Sequence, residues 1–153
     1  MKLYYAPQAC SLAPHIVLRE LKLPFVLIRV DNRSKLTASG EDFLAINPKG
    51  YVAALQLDDG AVLTEGPVIL QYLADLQPQP GLAPAPGSFE RLRLQEWLNF
   101  ISSEIHGGLG ALFDERLPAE VIKEKLFKRF AVLVAVLEQQ EYLLPSGFSV
   151  ADA

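Results

Sequence analysis

The chain has little of what several protein classes require. Its 153 residues include one cysteine, Cys10, which excludes an intramolecular disulfide and a cysteine-rich metal cluster. The net charge is −4 and there is no long run of Lys or Arg, so the sequence offers no basic surface for nucleic acid or an anionic membrane. It contains neither a signal-length apolar segment nor the roughly 20 consecutive apolar residues that span a bilayer. These absences predict a cytoplasmic, metal-free protein whose partner is a small molecule or another protein.

The chain does contain enough apolar side chains for a packed core, since half of its residues are hydrophobic and 21% are charged. An aromatic strand at residues 3–5, a helix at 12–21 that Ser11 can cap, and a continuous apolar run at 25–30 predict a βαβ unit. The run at 25–30 has the pattern of a strand that is buried on both faces of a parallel sheet.

The next segments complete a small mixed sheet. An Asp-Asp-Gly sequence at residues 58–60 lies between two short apolar runs and predicts a tight hairpin, and a helix from about residue 66 to 75 follows it. This order of elements predicts a thioredoxin-like domain over residues 1–77. Four of the eleven prolines fall in residues 78–87, which are predicted to form a linker to an all-helical domain at 88–153.

Two helices are predicted beyond the linker. The first has apolar residues at helical spacing between Phe89 and Phe100. The second carries a cleaner apolar stripe, formed by Ile122, Leu126, Phe130, Leu133 and Leu137.

The last residues have the form of a helix-starting capping box. Ser149 and Asp152 stand at its first and fourth positions, and the sequence stops at Ala153. Because such a box normally precedes an apolar helix, the pattern indicates a truncated product. In that case the second stripe stays partly exposed, and the chain aggregates or pairs with another chain. The alternative is a natural tail whose Ser and Asp serve solubility.

Cys10 is the first candidate for chemistry. It is predicted to lie between the first strand and the first helix, where helix N–H groups and the helix dipole favour a thiolate. We therefore expect a lowered pKa, although a lone cysteine is often only a buried small hydrophobe. Residue 13 is Ala, so no second thiol is available three residues on, and an external thiol such as glutathione would have to serve as partner.

Two further polar groups stand out. Glu65-Gly66 closes the hairpin and opens a helix, so a carboxylate next to backbone amides could bind an ammonium group, or it could be an ordinary helix cap. Asn99, Ser103 and His106 recur at spacings of four and three, which places them on one face of a regular helix. Ordinary surface polarity explains that stripe equally well.

Several segments together resemble the bacterial beta-class glutathione transferases, although each alone is a weak signal. They are Tyr4-Tyr5, Ala9-Cys10-Ser11, Asn-Pro-Lys-Gly-Tyr-Val at residues 47–52, Leu-Gln-Leu-Asp-Asp-Gly at 55–60, Leu-Thr-Glu-Gly at 63–66 and Ser-Val-Ala-Asp at 149–152. The sequence at 89–106 is similar to members found in biphenyl-degradation pathways. The resemblance covers the whole chain and implies a thioredoxin-like N-terminal domain, an all-helical C-terminal domain, glutathione as cosubstrate and a homodimer.

The resemblance also implies roles for individual residues. Cys10 would lie against the glutathione sulfur, Cys10 and Ser11 at the start of the first helix would stabilise its thiolate, and His106 would orient it. The other positions that resemble glutathione-binding residues are Val52 for the cysteinyl part, Glu65 and Gly66 for the γ-glutamyl end, Lys35 and Tyr51 for the glycyl side, and Asn99, Ser103 and Glu104 for a neighbouring subunit's glutathione.

The chain departs from the family pattern in three ways, one of which is that the family continues with several more helices after the capping box. Ala53 follows Val52 where the family has a cis proline; a non-proline cis bond costs about 2.5–4 kcal/mol, so we expect a trans bond that turns the Val52 amide away from glutathione. Gly107 replaces a basic residue after the histidine, and Gly107, Gly108 and Gly110 are expected to loosen the helix.

The leading hypothesis is therefore a glutathione transferase that conjugates glutathione to electrophilic small molecules, chlorinated or aromatic-derived ones among them. Two alternatives stay open. One is a non-catalytic relative that binds a partner protein, and the other is a glutathione-dependent disulfide reductase that works through Cys10 alone.

Overall fold

A computed structural model describes residues 1–77 and 81–153. The chain divides into two compact units, Met1–Gly81 together with Ala153, and Leu82–Asp152. The first three residues of the predicted linker lie outside the described residues, while its part from Leu82 onward belongs to the second unit. In the described ranges, no helix is long and apolar enough to cross a membrane.

The first unit has the predicted thioredoxin-like order. Its elements are β1 (Lys2–Tyr5), α1 (Leu12–Glu20), β2 (Val26–Arg29), a short 3-10 turn (Phe43–Ala45), β3 (Ala54–Gln56), β4 (Val62–Thr64) and α2 (Gly66–Leu76). The sheet order is β2-β1-β3-β4; β1 runs parallel to β2 and antiparallel to β3, which pairs antiparallel with β4. The predicted βαβ unit, hairpin and following helix are all present.

Strand β1 lies inside the sheet and is buried on both faces, because successive side chains of a strand point to opposite sides. Leu3 is fully buried, and Tyr4 on the other face packs against Phe43, with ring centroids 5.6 Å apart. Among the described strands, β2 pairs with β1 alone, and Val26 is 56% exposed. The prediction that this strand is buried on both faces is therefore wrong, because β2 lies at the edge of the sheet, where fewer neighbouring side chains cover its faces.

The second unit is helical. It contains α3 (Phe89–Phe100), a π-helical turn (Ile101–His106), α4 (Gly107–Ala111) and α5 (Ala119–Leu137). Its most buried apolar side chains are Leu82, Leu94, Leu98, Ile105, Leu126, Leu143, Leu144 and Val150. Along α5 only Leu126 of the predicted stripe is buried, and Leu137 is 47% exposed. The stripe is thus partly exposed, as predicted.

The glycines of α4 differ in their surroundings, which gives a matched pair of substitutions. A Cβ at Gly110 would meet no atom within 4 Å, whereas one at Gly108 would lie 2.7 Å from Cδ2 of Leu126. We expect Gly110→Ala to raise the free energy of unfolding by about 0.5–1 kcal/mol, the helix-propensity difference between the two residues. Gly108→Ala should gain less or lose stability because Leu126 must move. Urea denaturation measures both, and equal gains would contradict this account of α4.

Candidate functional site

The loop at residues 47–53 enters β3 and is organised by Asn47. This side chain is only 3% exposed; its Nδ2 donates to the Tyr51 carbonyl at 2.8 Å, and its Oδ1 accepts from the Lys49 backbone N–H at 3.2 Å. The Gly50 N–H donates to the Asn47 carbonyl at 2.9 Å and closes a turn. Gly50 has φ +70°, and a Cβ there would lie 3.1 Å from the Leu44 side chain, so both backbone and space favour glycine.

The side chain of Lys35 forms a hydrogen bond to the same loop. Its Nζ donates to the Gly50 carbonyl at 2.9 Å and lies 5.8 Å from the centroid of the Tyr51 ring, which is 74% exposed. The predicted pair Lys35 and Tyr51 is therefore adjacent in the structure, and the exposed ring is free to contact a ligand.

Val52 and Ala53 join this loop to β3, and both are more than nine-tenths buried. The peptide bond between them is cis, so the predicted trans bond is wrong. The expectation of a trans bond followed only from the intrinsic preference of a non-proline peptide bond for the trans form. In the folded unit, Asn47 holds the Tyr51 carbonyl on one side and Cys10 Sγ donates to the Val52 carbonyl at 3.2 Å on the other.

Cys10 lies just before α1, as predicted, but its pKa shifts in the opposite direction. Although part of the residue is exposed, desolvation of the sulfur raises the pKa of the Cys10 thiol, and Glu65 adds to the increase. Backbone N–H groups of Ala53, Cys10 and Ser11 lower the pKa without outweighing desolvation. The predicted lowered pKa is therefore wrong. Proximity to the start of α1 does not by itself set the pKa of the thiol, since the thiol also donates to the Val52 carbonyl, an acceptor that favours the protonated form.

The raised pKa predicts slow alkylation of Cys10 at neutral pH. An acid with a raised pKa is less ionised at a given pH, and only the thiolate reacts. The rate with iodoacetamide should rise through an inflection above the ordinary cysteine pKa of about 8.5. Because Cys10 is the single cysteine, the profile belongs to it alone, and N-acetylcysteine measured alongside is the control. An inflection below about 8.5 would contradict this expectation and indicate an activated thiolate.

Ser11 is buried and its hydroxyl does not cap α1. Its Oγ accepts from the Ala6 N–H at 3.2 Å and donates to the Ala6 carbonyl at 3.3 Å, which ties the end of β1 to the start of α1. The predicted helix-capping role of its side chain is wrong, because both hydrogen-bonding functions of the hydroxyl are used by Ala6. Its backbone N–H remains directed to the Cys10 sulfur region, where it lowers the thiol pKa.

Glu65 and Gly66 stand at the junction of β4 and α2. Glu65 has φ +68° and makes no side-chain cap of the helix, so the ordinary-cap interpretation is not supported. Its Oε1 instead lies 2.6 Å from Lys49 Nζ, which also contacts Thr64 Oγ1 at 3.1 Å. Sequence reasoning missed both Lys49 and Asn47; the turn sequence Asn-Pro-Lys-Gly was the available signal.

In the second unit, the predicted polar stripe spans α3 and the π-helical turn. Asn99, Ser103 and His106 are exposed, and Ser103 Oγ donates to the Asn99 carbonyl at 2.9 Å. The prediction of one shared face assumed a regular α-helix. The hydrogen bonds of a π-helix span five residues and those of an α-helix span about four. The π-helical turn therefore rotates His106 relative to Asn99, away from the position that a regular α-helix would give it.

Glu104 of the same turn forms an ion pair with a residue of α5. Its Oε2 lies 2.5 Å from Arg129 Nε. Ser103 and Glu104 also line a cavity of about 430 Å³, whose other walls include Lys125, Leu126 and Arg129. The π-helical turn is thus tied to α5 by an ion pair.

Comparison with known proteins places this geometry in a family. Residues 9–76 match the family described as Glutathione S-transferase, N-terminal domain. Over 156 aligned residues the chain is 43% identical to glutathione S-transferase GstA of Escherichia coli O157:H7, and the match covers 100% of this chain and 78% of GstA. The chain belongs to the glutathione S-transferase family.

Solved structures of other glutathione S-transferases agree closely with this one. The ternary complex of BphK, a bacterial member, is 55% identical with a TM-score of 0.95, and the match covers 99% of this chain and 77% of that one. A beta-class enzyme from Sphingomonas chungbukensis is 42% identical with a TM-score of 0.93, over the same shares of both chains. The resemblance to the bacterial beta class is confirmed.

A sphingomonad glutathione S-transferase was solved in complex with glutathione. It is 45% identical to the chain with a TM-score of 0.93, and the match covers 99% of this chain and 77% of that one. The chain thus spans about three quarters of the length of these glutathione S-transferases.

Proposed function

We propose that this glutathione S-transferase conjugates glutathione to electrophilic small molecules, with chlorinated and aromatic-derived compounds as its substrate class. The observation that carries the proposal is the contact of Cys10 Sγ with the Val52 carbonyl, at 3.2 Å. It brings a sulfur next to the backbone segment that the family uses for the cysteinyl part of glutathione. Glutathione supplies the nucleophilic thiolate.

Different residues of the first unit then bind different parts of glutathione. Val52 offers its backbone to the cysteinyl part, and Lys35 with Tyr51 forms a cationic and aromatic surface for the glycyl carboxylate. Glu65 and the N-terminus of α2 at Gly66 bind the γ-glutamyl end, where a carboxylate meets the ammonium and amides meet the carboxylate.

Cys10 acts as a hydrogen-bond donor in this proposal. A thiol whose pKa is raised stays protonated near neutral pH, so when glutathione binds, its single S–H can turn from the Val52 carbonyl to the glutathione thiolate and stabilise it. The glutathione sulfur then forms a bond to the electrophilic carbon while the leaving group, such as chloride, departs with the bonding electrons. The raised pKa argues against the disulfide reductase alternative, which needs Cys10 itself as a thiolate.

The second-unit assignments stay predictions. They are the orientation of the glutathione sulfur by His106, and the contribution of Asn99, Ser103 and Glu104 to a neighbouring subunit's glutathione in a homodimer. Glu104 would have to serve that role while it is paired with Arg129.

A conjugation assay with glutathione and a chlorinated dinitrobenzene tests the proposal. We expect the chain to conjugate the compound, and Glu65→Gln to raise the KM for glutathione about tenfold, the effect of losing one charged hydrogen bond. Glu20→Gln, an exposed carboxylate at the far end of α1, should leave KM unchanged. Failure of the chain to bind or to turn over glutathione would favour the partner-binding alternative instead.

A further inference from the structure

Lys49 is the one cation that contacts the predicted γ-glutamyl site, among the described residues. Its Nζ lies 2.6 Å from Glu65 Oε1 and 3.1 Å from Thr64 Oγ1. Its backbone is held by the Asn47 side chain, whose Oδ1 accepts the Lys49 N–H. The ammonium group is therefore positioned at the start of α2 by a fixed loop, while its side chain remains 56% exposed and reachable by a ligand.

The hydrogen-bonding capacity of this pair is incompletely used. A lysine ammonium has three donors, of which Glu65 and Thr64 take two, so one remains. A carboxylate accepts about four hydrogen bonds over its two oxygens. In the described parts of the chain, Lys49 is the only cation in contact with the Glu65 carboxylate, through Oε1. Glu65 can thus accept from a second ammonium while it keeps its contact with Lys49.

The pair matches the charges of the γ-glutamyl end of glutathione, which carries an ammonium and a carboxylate on one carbon. A ligand ammonium on Glu65 brings the ligand carboxylate to the same place. Without a nearby cation, that carboxylate would be repelled by Glu65. Lys49 supplies that cation, since its Nζ contacts Glu65, the residue that precedes Gly66.

We propose that Lys49 is a specificity-determining residue that reads the α-carboxylate of the γ-glutamyl group, and so selects γ-glutamyl thiols over thiols that lack this carboxylate. The inference rests on the proposed function, since it concerns the same ligand. The rival explanation is an ordinary surface ion pair, in which Lys49 competes with the ligand ammonium for Glu65. The two explanations predict opposite effects of removing the lysine.

Calorimetric titration with two ligands separates them. The ligands are glutathione and its analogue 4-aminobutanoyl-cysteinyl-glycine, which lacks only the α-carboxylate. We expect Lys49→Met to weaken glutathione binding about tenfold, as for loss of a charged hydrogen bond, and to leave the analogue unchanged. Lys49→Gln, a second neutral variant, should behave alike. The control is Lys2→Met, which removes the same charge from an exposed lysine at the start of β1. It should change the affinity for neither glutathione nor the analogue.

Three results would overturn the inference. Tighter or unchanged glutathione binding by both Lys49 variants would identify a competing or irrelevant ion pair. Equal weakening of both ligands would show that Lys49 only supports the loop. If the unaltered chain bound no glutathione, the proposed function would fail together with the inference, whereas the first two results leave the proposed function intact.

Discussion

Replacing Asp152 by alanine is expected to lower the free energy of unfolding by about 3 kcal/mol or more, since three hydrogen-bond donors lose their acceptor and a buried donor without a partner costs about 1–3 kcal/mol. Asp152 Oδ2 accepts from both the N–H and the Oγ of Ser149 at 2.9 Å, and Oδ1 accepts from the Leu143 N–H at 2.8 Å. Ser149 is 3% exposed, so water cannot readily replace the carboxylate. Urea denaturation followed by circular dichroism measures the loss.

Two variants control this measurement. Glu115→Ala removes an exposed carboxylate of the same unit and should change stability little. Asp152→Asn keeps an acceptor oxygen and should fall between alanine and the unaltered chain. A stability of Asp152→Ala equal to that of the unaltered chain would mean that the capping box contributes nothing to the helical unit.

Replacing Asn47 by alanine is the second large expected effect. The substitution leaves the Tyr51 carbonyl and the Lys49 N–H without their partner, which should cost about 2–3 kcal/mol of unfolding free energy. The loop that presents Val52 should also lose its fixed shape. We therefore expect glutathione to bind at least about tenfold more weakly, since preorganised contacts would have to be ordered on binding.

Denaturation and calorimetric titration of the same preparation test both parts of this expectation. Asn32→Ala, at an exposed asparagine of the first unit, is the control. Asn47→Asp retains the acceptor for the Lys49 N–H and removes the donor to the Tyr51 carbonyl. It therefore isolates the contribution of the bond to Tyr51. If Asn47→Ala lost stability and kept its affinity, the loop would be structural only.

Features with local signals could be predicted from the sequence. The hairpin around Asp58-Asp59-Gly60 and helix α2 depend on neighbouring residues, and both are confirmed. The capping box is also local, since Ser149 and Asp152 are three residues apart. The predicted thioredoxin-like order follows from these elements together with the βαβ unit.

Features that depend on distant residues were predicted wrongly. The pKa of Cys10 reflects desolvation and the charge of Glu65, which is distant in sequence, and not only the nearby helix start. The burial of β2 depends on the strand order, which an apolar run does not reveal. Spacing alone also could not show the π-helical turn, which breaks the regular periodicity on which the alignment of Asn99 with His106 relied.

The edge position of β2 has a consequence for self-association. Open sheet edges can template the addition of further strands and lead to aggregation. Here β4, at the other edge, is only three residues long, and the outer side of β2 is partly occupied. The Arg29 carbonyl accepts from the Ala38 N–H at 2.9 Å, and Val30 bridges Thr37. Each edge therefore offers only a few unpaired backbone groups, too few to template a long intermolecular sheet.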